Sequence, residues 1–303
     1  MSAMFSDRLA AAILSKRSQV VVGLDPDYRL IPPELRASVD RPDSITPDEI
    51  CDVYRDFLRG LLEGLVESVV AVKLQSAFFE ALGWRGVRLF EETIKHAQQL
   101  GYLVIADAKR GDIGNTAEAY AEAHLDGARG GGAGADAMTV NPYFGTDGLE
   151  PFLRRTRNEG KGLFVLVKTS NPSSREVQDI QIAGGGHLYE AVGDLVALWG
   201  EGSRGRSGWS SVGAVVGGTH PDQAKALRRR LPHVPFLIPG YGAQGATAAD
   251  LEGLFGRDRV GAVVNSARAI LYAYRNTHLP WLEAARAEAE AMRHAVWEVS
   301  GRG

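Results

Sequence analysis

Residues 104–116 read VIADAKRGDIGNT, an apolar run that ends in Asp107, Lys109, Arg110 and Asp112. Two more charges close other apolar runs: Asp25 ends QVVVGLD (19–25), and Lys73 lies near the end of VVAVKLQ (69–75). Side chains alternate along a strand, so Asp107 and Lys109 point the same way and Arg110 need not join them. Opposite unit charges 4 Å apart attract by about 4 kcal/mol at an effective dielectric of 20. An alternating acid–lysine array therefore holds its members ionised and in place, ready to act on a charged group bound beside it. Any one of these residues could belong to a structural ion-pair network or a solvated surface. Five at the same end of the strands, Asp25, Lys73, Asp107, Lys109 and Asp112, favour a site.

A second cluster follows two later runs, in IPGYGAQGA and NSARAI. Here Gly242 lets the backbone approach a ligand and present N–H groups, Gln244 offers an amide, and Arg268 a bidentate fork for phosphate oxygens. Gly240, Gly242 and Gly245 also match G-x-G-x-x-G. That fingerprint should open a first βα unit, with an acidic residue ending the next strand. Here it follows the seventh run, and the next one ends in Val264 and Asn265, so a nicotinamide site is not expected.

The elements that must carry these residues are legible. Eight apolar or β-branched runs alternate with helical segments, at 19–25, 69–75, 102–109, 136–142, 163–170, 212–219, 235–242 and 260–267. Near-continuous apolar strands alternating with helices predict a parallel sheet covered on both faces, and eight predict a (β/α)8 barrel. Barrel sites lie at the C-terminal strand ends, and the loops after strands 7 and 8 commonly hold a phosphate. Thr46, Pro47 and Glu49 form a capping-box start for a helix whose apolar face runs from Ile50 to Leu65. Gly101 is placed as a C-cap glycine. Insertions are expected after strand 1 (26–45) and strand 5 (171–211), the latter with glycine-rich mobile loops around a helix near 187–199. The whole chain, 1–303, reads as one domain.

Composition is that of an ordinary globular protein, 45% hydrophobic and 23% charged, with a net charge of −3. That charge gives no reason to expect a nucleic-acid or membrane partner. The run Arg228-Arg229-Arg230 ends a helix, where cations suit the macrodipole. One cysteine, Cys51, excludes an internal disulfide, and no apolar stretch approaches the roughly 18 residues of a membrane span. The N-terminus lacks a long apolar signal core, so a cytoplasmic protein is expected. H-E-x-x-H, C-x-x-C, G-x-S-x-G and the Walker lysine loop are absent. His96 and His124 read as packing or surface residues, and Lys168 as an ordinary helix-facing lysine outside the site.

Taken together, these motifs resemble the orotidine 5′-phosphate decarboxylase family. The likeness runs from Gly23 to Arg268 through GLDPD, VKLQ, DAKRGDIGNT, TVNPYFGTDGLEPF, VKTSNP, PGYGAQG and NSARAI, and looks like its longer bacterial branch. It implies decarboxylation of orotidine 5′-phosphate to UMP, with no metal or cofactor, in pyrimidine biosynthesis. Asp25 and Lys73 would contact the ribose hydroxyls, Asp107 would face the substrate carboxylate, and Lys109 would protonate the C6 carbanion. Asp112 and Thr116 would reach into a partner's site, implying a homodimer. Ser170 would bond the pyrimidine, while Gln244 and Arg268 grip the phosphate. The shorter members carry glycine where Ala267 precedes Arg268, and Tyr241 is bulkier than expected. A sister Mg2+-dependent sugar-phosphate decarboxylase or aldolase would need a carboxylate where Lys73 stands. A non-catalytic phosphosugar-binding barrel would have no use for the acid–lysine array.

Overall fold

The computed structural model describes residues 3–36, 45–127, 131, 133–242 and 245–301. Its eight strands are β1 (Val20–Leu24), β2 (Ala71–Gln75), β3 (Leu103–Arg110), β4 (Ala137–Val140), β5 (Gly162–Lys168), β6 (Val212–Val216), β7 (Phe236–Ile238) and β8 (Ala262–Ser266). They pair in parallel and in chain order, and β8 closes on β1. The expected (β/α)8 barrel is the observed fold. The predicted runs extended a few residues past several strands, into loop residues such as Asn141-Pro142, Thr169-Ser170 and Gly217-Gly218-Thr219.

Strand alternation divides the core. Val20, Val22, Val72, Leu74, Val104, Met138, Val165, Ala214 and Val264 belong to the layer under the helices. Val21, Ala71, Ile105, Ala137, Phe164, Val215, Leu237 and Val263 fill the barrel interior. The helix Phe5–Lys16 plugs the N-terminal end of that interior with Phe5, Leu9, Ala10 and Ile13. Gly162 makes room for the plug, since a Cβ there would sit 2.4 Å from the Phe5 ring. The C-terminal end stays open, and the polar residues collect there.

The outer helices follow the sequence punctuation. Thr46 and Glu49 form the reciprocal capping box of helix Pro47–Leu65, which buries Val53, Tyr54, Phe57, Leu58, Leu61, Leu62 and Leu65. Gly101, with φ +88°, donates to the Gln98 carbonyl and ends the helix Gly83–Gln99. Of the first insertion, residues 37–44 lie outside the described residues. The second holds the expected helix, Leu188–Gly200. Its glycine-rich pieces, expected as mobile loops, form hydrogen-bonded turns. Ile182 donates to the Gly186 carbonyl, and Asp7 accepts the Arg206 and Ser207 backbone N–H groups.

Candidate active site

The inward parity that fills the barrel continues upward into a cavity of about 400 Å3. From Val21 the next inward residues are Gly23 and Asp25; from Ala71 they are Lys73 and Gln75; from Ile105, Asp107 and Lys109. Thr139 follows Ala137, Leu166 follows Phe164, Pro239 follows Leu237 and Asn265 follows Val263. All of these except Gly23 line the cavity, together with Thr169, Ser170 and Asn171 after β5. The site is thus the top layer of the barrel interior, made polar.

Asp107 is its centre. Its Oδ2 accepts from Lys73 Nζ at 2.6 Å and Gln75 Nε2 at 3.1 Å. Its Oδ1 accepts from Lys109 Nζ at 2.6 Å and Thr139 Oγ1 at 2.9 Å. Burial opposes ionisation of this carboxyl, but Lys73 and Lys109 outweigh it and hold Asp107 well below the usual carboxylate range. Lys73, only 5% exposed, also stands 3.8 Å from Asp25 Oδ1. Burial works against its charge, while Asp107 and Asp25 more than restore it, raising its pKa. Burial raises the pKa of Asp25, with Lys73 opposing and Asp107 adding to the rise. The result is a charge row, Asp25–Lys73–Asp107–Lys109.

Lys109 reaches this row by a break in the sheet. Ala106 pairs with Met138 and Arg110 with Val140, so three residues of β3 stand opposite Thr139 alone. Lys109 takes the left-handed φ of +47°, and its N–H donates to Thr139 Oγ1 at 3.0 Å. The hydroxyl fills the ladder position that the bulge vacates. Arg110 turns away, pairs with Glu80 and lies over the Tyr120 ring.

Other expected residues are spread around the barrel mouth. Ser170 lines the cavity around Asp107. Arg268 opens the short helix Arg268–Leu271 and lines a neighbouring cavity with Leu30, Tyr272 and Arg275, close enough to Asp25 to favour its charge. Gly242, with φ +72°, sits in a turn closed by its N–H to the Ala246 carbonyl, and a Cβ on it would lie 3.4 Å from Ala269. The two loops after β7 and β8 therefore touch. Gln244 lies outside the described residues. Asp112 and Thr116 do not line the cavity around Asp107. Asp112 Oδ1 accepts the Ile113 N–H, and Ile113 and Thr116 lie exposed on the rim.

Ala267, the departure before the arginine, fits because Gly23 has no side chain: a Cβ on Gly23 would lie 2.8 Å from that of Ala267. Sequence reasoning missed Gln75, Thr139, Asn171 and Asn265. Their signal was position, since Gln75, Thr139 and Asn265 are polar residues of inward parity at C-terminal strand ends.

A closed (β/α)8 barrel with an acid–lysine row buried at its C-terminal mouth is the architecture of a barrel enzyme. The chain belongs to the orotidine 5′-phosphate decarboxylase / HUMPS family, whose family model matches residues 18–278. It is 41% identical over 301 residues to the orotidine 5′-phosphate decarboxylase of Rhodopirellula baltica, covering 96% of this chain and 98% of that one. Identity to the Clostridium kluyveri enzyme of the same name is 38% over 290 residues, 95% of each chain. The OMP decarboxylase structure from Leishmania donovani superposes with a TM-score of 0.76 at 30% identity, covering 98% of this chain and 99% of that one.

Proposed function

We propose that this protein decarboxylates orotidine 5′-phosphate to UMP and carbon dioxide, without metal or cofactor, in pyrimidine biosynthesis. The observation that carries this reading is the clasp of Asp107 between Lys73 and Lys109. A substrate carboxylate bound beside Asp107 meets a like charge, and the developing carbanion meets the Lys109 ammonium. The C6–carboxylate bond breaks, its electron pair stays on C6, and carbon dioxide leaves. Lys109 Nζ then gives C6 a proton and recovers one from water. Interactions that strengthen only as charge moves to C6 lower the barrier rather than the ground state.

The rest of the cavity suits a nucleotide. Asp25 Oδ1 and Asn265 Oδ1 are buried acceptors with no hydrogen-bond donor among the described residues, and both residues line the cavity. Ribose hydroxyls would satisfy them, with Lys73 assisting. Arg268 and the Gly242 turn, with Gln244, would hold the phosphate, and Ser170 the pyrimidine. The family description spans a second branch. A Mg2+-dependent sugar-phosphate reading is disfavoured by Lys73, whose ammonium would repel a divalent cation at the centre of the row.

Asp112 and Thr116 would complete the site of a second copy, making a homodimer. Two features support this: the exposed rim residues Ile113, Tyr143 and Phe144, with Tyr143 88% exposed, and the absence of Asp112 from its own cavity. We read the whole chain, 1–303, as one domain, acting in the cytoplasm. Mixing Asp112→Ala with Lys109→Ala subunits tests the shared site. Each variant alone should be inactive, and the mixture should regain activity through one intact site per heterodimer. No recovery would overturn the shared site while leaving the decarboxylase reading to direct assay.

A further inference from the structure

The chain between β5 and the helix Leu188–Gly200 is tied to the catalytic cavity by a buried cation that the chemistry does not use. β5 ends in a bulge: Leu166 pairs with Val215 and Lys168 with Val216, leaving Val167 extra. Strict alternation would send Lys168 into the cavity beside Leu166. The bulge sends it outward instead, where it is 0% exposed and 5.6 Å from the centre of the Tyr189 ring. There Lys168 Nζ donates to Asp179 Oδ1 at 2.7 Å, and Gln223 Nε2 donates to the same oxygen at 3.1 Å.

One residue before Asp179, the Gln178 amide grips Thr169 from both sides. Its Oε1 accepts the Thr169 N–H at 2.9 Å, and its Nε2 donates to Thr169 Oγ1 at 2.8 Å. Thr169 Oγ1 in turn donates to Asn171 Oδ1 at 2.7 Å. Thr169, Ser170 and Asn171 all line the catalytic cavity. The wall segment is thus fixed from behind, through Gln178 and the Lys168–Asp179 pair. An apolar side chain would fill the Lys168 space without the desolvation cost of a buried ammonium. The ion pair instead gives this wall a directional, single geometry.

We propose that Lys168 and Asp179 are positioning residues that hold the Thr169–Ser170–Asn171 wall in the shape that selects the pyrimidine base. The proposal rests on the decarboxylase reading, because that reading puts the base against Ser170. Neither residue touches the substrate. Their loss therefore acts on base recognition and leaves the phosphate end alone.

The test compares UMP and ribose 5-phosphate as competitive inhibitors of wild type, Asp179→Asn and Lys168→Met, alongside KM and kcat. Lys168→Met removes the buried ammonium, keeps the volume and leaves only the part-exposed Asp179 carboxylate, still bonded by Gln223, so it guards against misfolding of the first variant. Both variants should weaken inhibition by UMP about tenfold, the equivalent of one lost hydrogen bond, with ribose 5-phosphate unchanged within about twofold. KM should rise more than kcat falls. Equal changes in both inhibition constants, or none in either, would overturn the proposal, since general loosening of the fold does not distinguish the ligands. Failure of the underlying reading would show earlier and separately, as a wild-type protein that does not turn over orotidine 5′-phosphate.

Discussion

Thr139 Oγ1 stands between Asp107 and Lys109, donating to the Asp107 carboxylate at 2.9 Å and accepting the Lys109 backbone N–H at 3.0 Å. One hydroxyl on β4 thus fixes both the acid and the backbone of the lysine across a gap in the sheet. Replacing it with Thr139→Val leaves a part-buried N–H without a partner, costing about 1–3 kcal/mol in unfolding free energy. Displacing Lys109 should also lower kcat by about 10–100-fold. Thr139→Ser, which keeps the hydroxyl, should restore most of both. Chemical denaturation and steady-state kinetics on the two variants check this, and a Thr139→Val enzyme with wild-type kcat would contradict it.

Lys109→Ala should lower kcat by about 100- to 10,000-fold, the usual contribution of a positioned proton donor. Binding of UMP, measured by calorimetry, should persist within several-fold because the loops after β7 and β8, proposed to hold the phosphate, are untouched. A variant that still turns over would remove Lys109 from the chemistry.

Asp25 couples function to a stability cost. Burial raises its pKa above the ordinary carboxylate value, and Lys73 only partly offsets this. A carboxyl with a raised folded pKa stabilises the fold at low pH, and that contribution is lost as pH rises through the folded value. At neutral pH the ionised Asp25 is therefore a net cost. Asp25→Asn should raise Tm at pH 7 and lower kcat/KM by about 10–100-fold through a weakened charged hydrogen bond to ribose. A lower Tm at pH 7 would show that the ionised carboxylate stabilises the fold instead.

Much of the site was legible because it places charge at strand ends where the core pattern calls for apolar residues. Lys73, Asp107 and Lys109 stand out for that reason, and the eight strands are visible because both of their faces are buried. Thr139 was not legible: its importance comes from three β3 residues opposing one on β4, a register defect no single-strand pattern reports. Lys168 has the same history, since a bulge decides whether it faces the cavity or the helices. It does face the helices, as the sequence suggested, but as a fully buried ion-pair partner. Asp112 belongs to the motif yet lies outside its own cavity; strand-end position alone grouped it with the array, and only the family resemblance set it apart.

His124 supplies a pH dependence away from the site. It lies on the turn Glu122–Asp126 with its ring edge-on to Phe90, 6.3 Å between centres. Burial, with Arg110 adding to it, pushes its pKa down to about 4. The folded state therefore favours neutral imidazole. This contribution to stability is complete above about pH 6.5 and declines as pH falls towards about 4, by up to about 3 kcal/mol. Denaturation curves of wild type and His124→Gln between pH 7 and 4 should converge at the acid end. Parallel curves would show that His124 titrates alike in both states.

If the Asp25–Lys73–Asp107–Lys109 row decarboxylates orotidine 5′-phosphate unaided, the purified protein must do so in excess EDTA. The direct measurement follows the absorbance of orotidine 5′-phosphate under that condition. Conversion to UMP at a rate unchanged by the chelator is the predicted result. No conversion, or conversion that appears only when Mg2+ is supplied, would contradict the account.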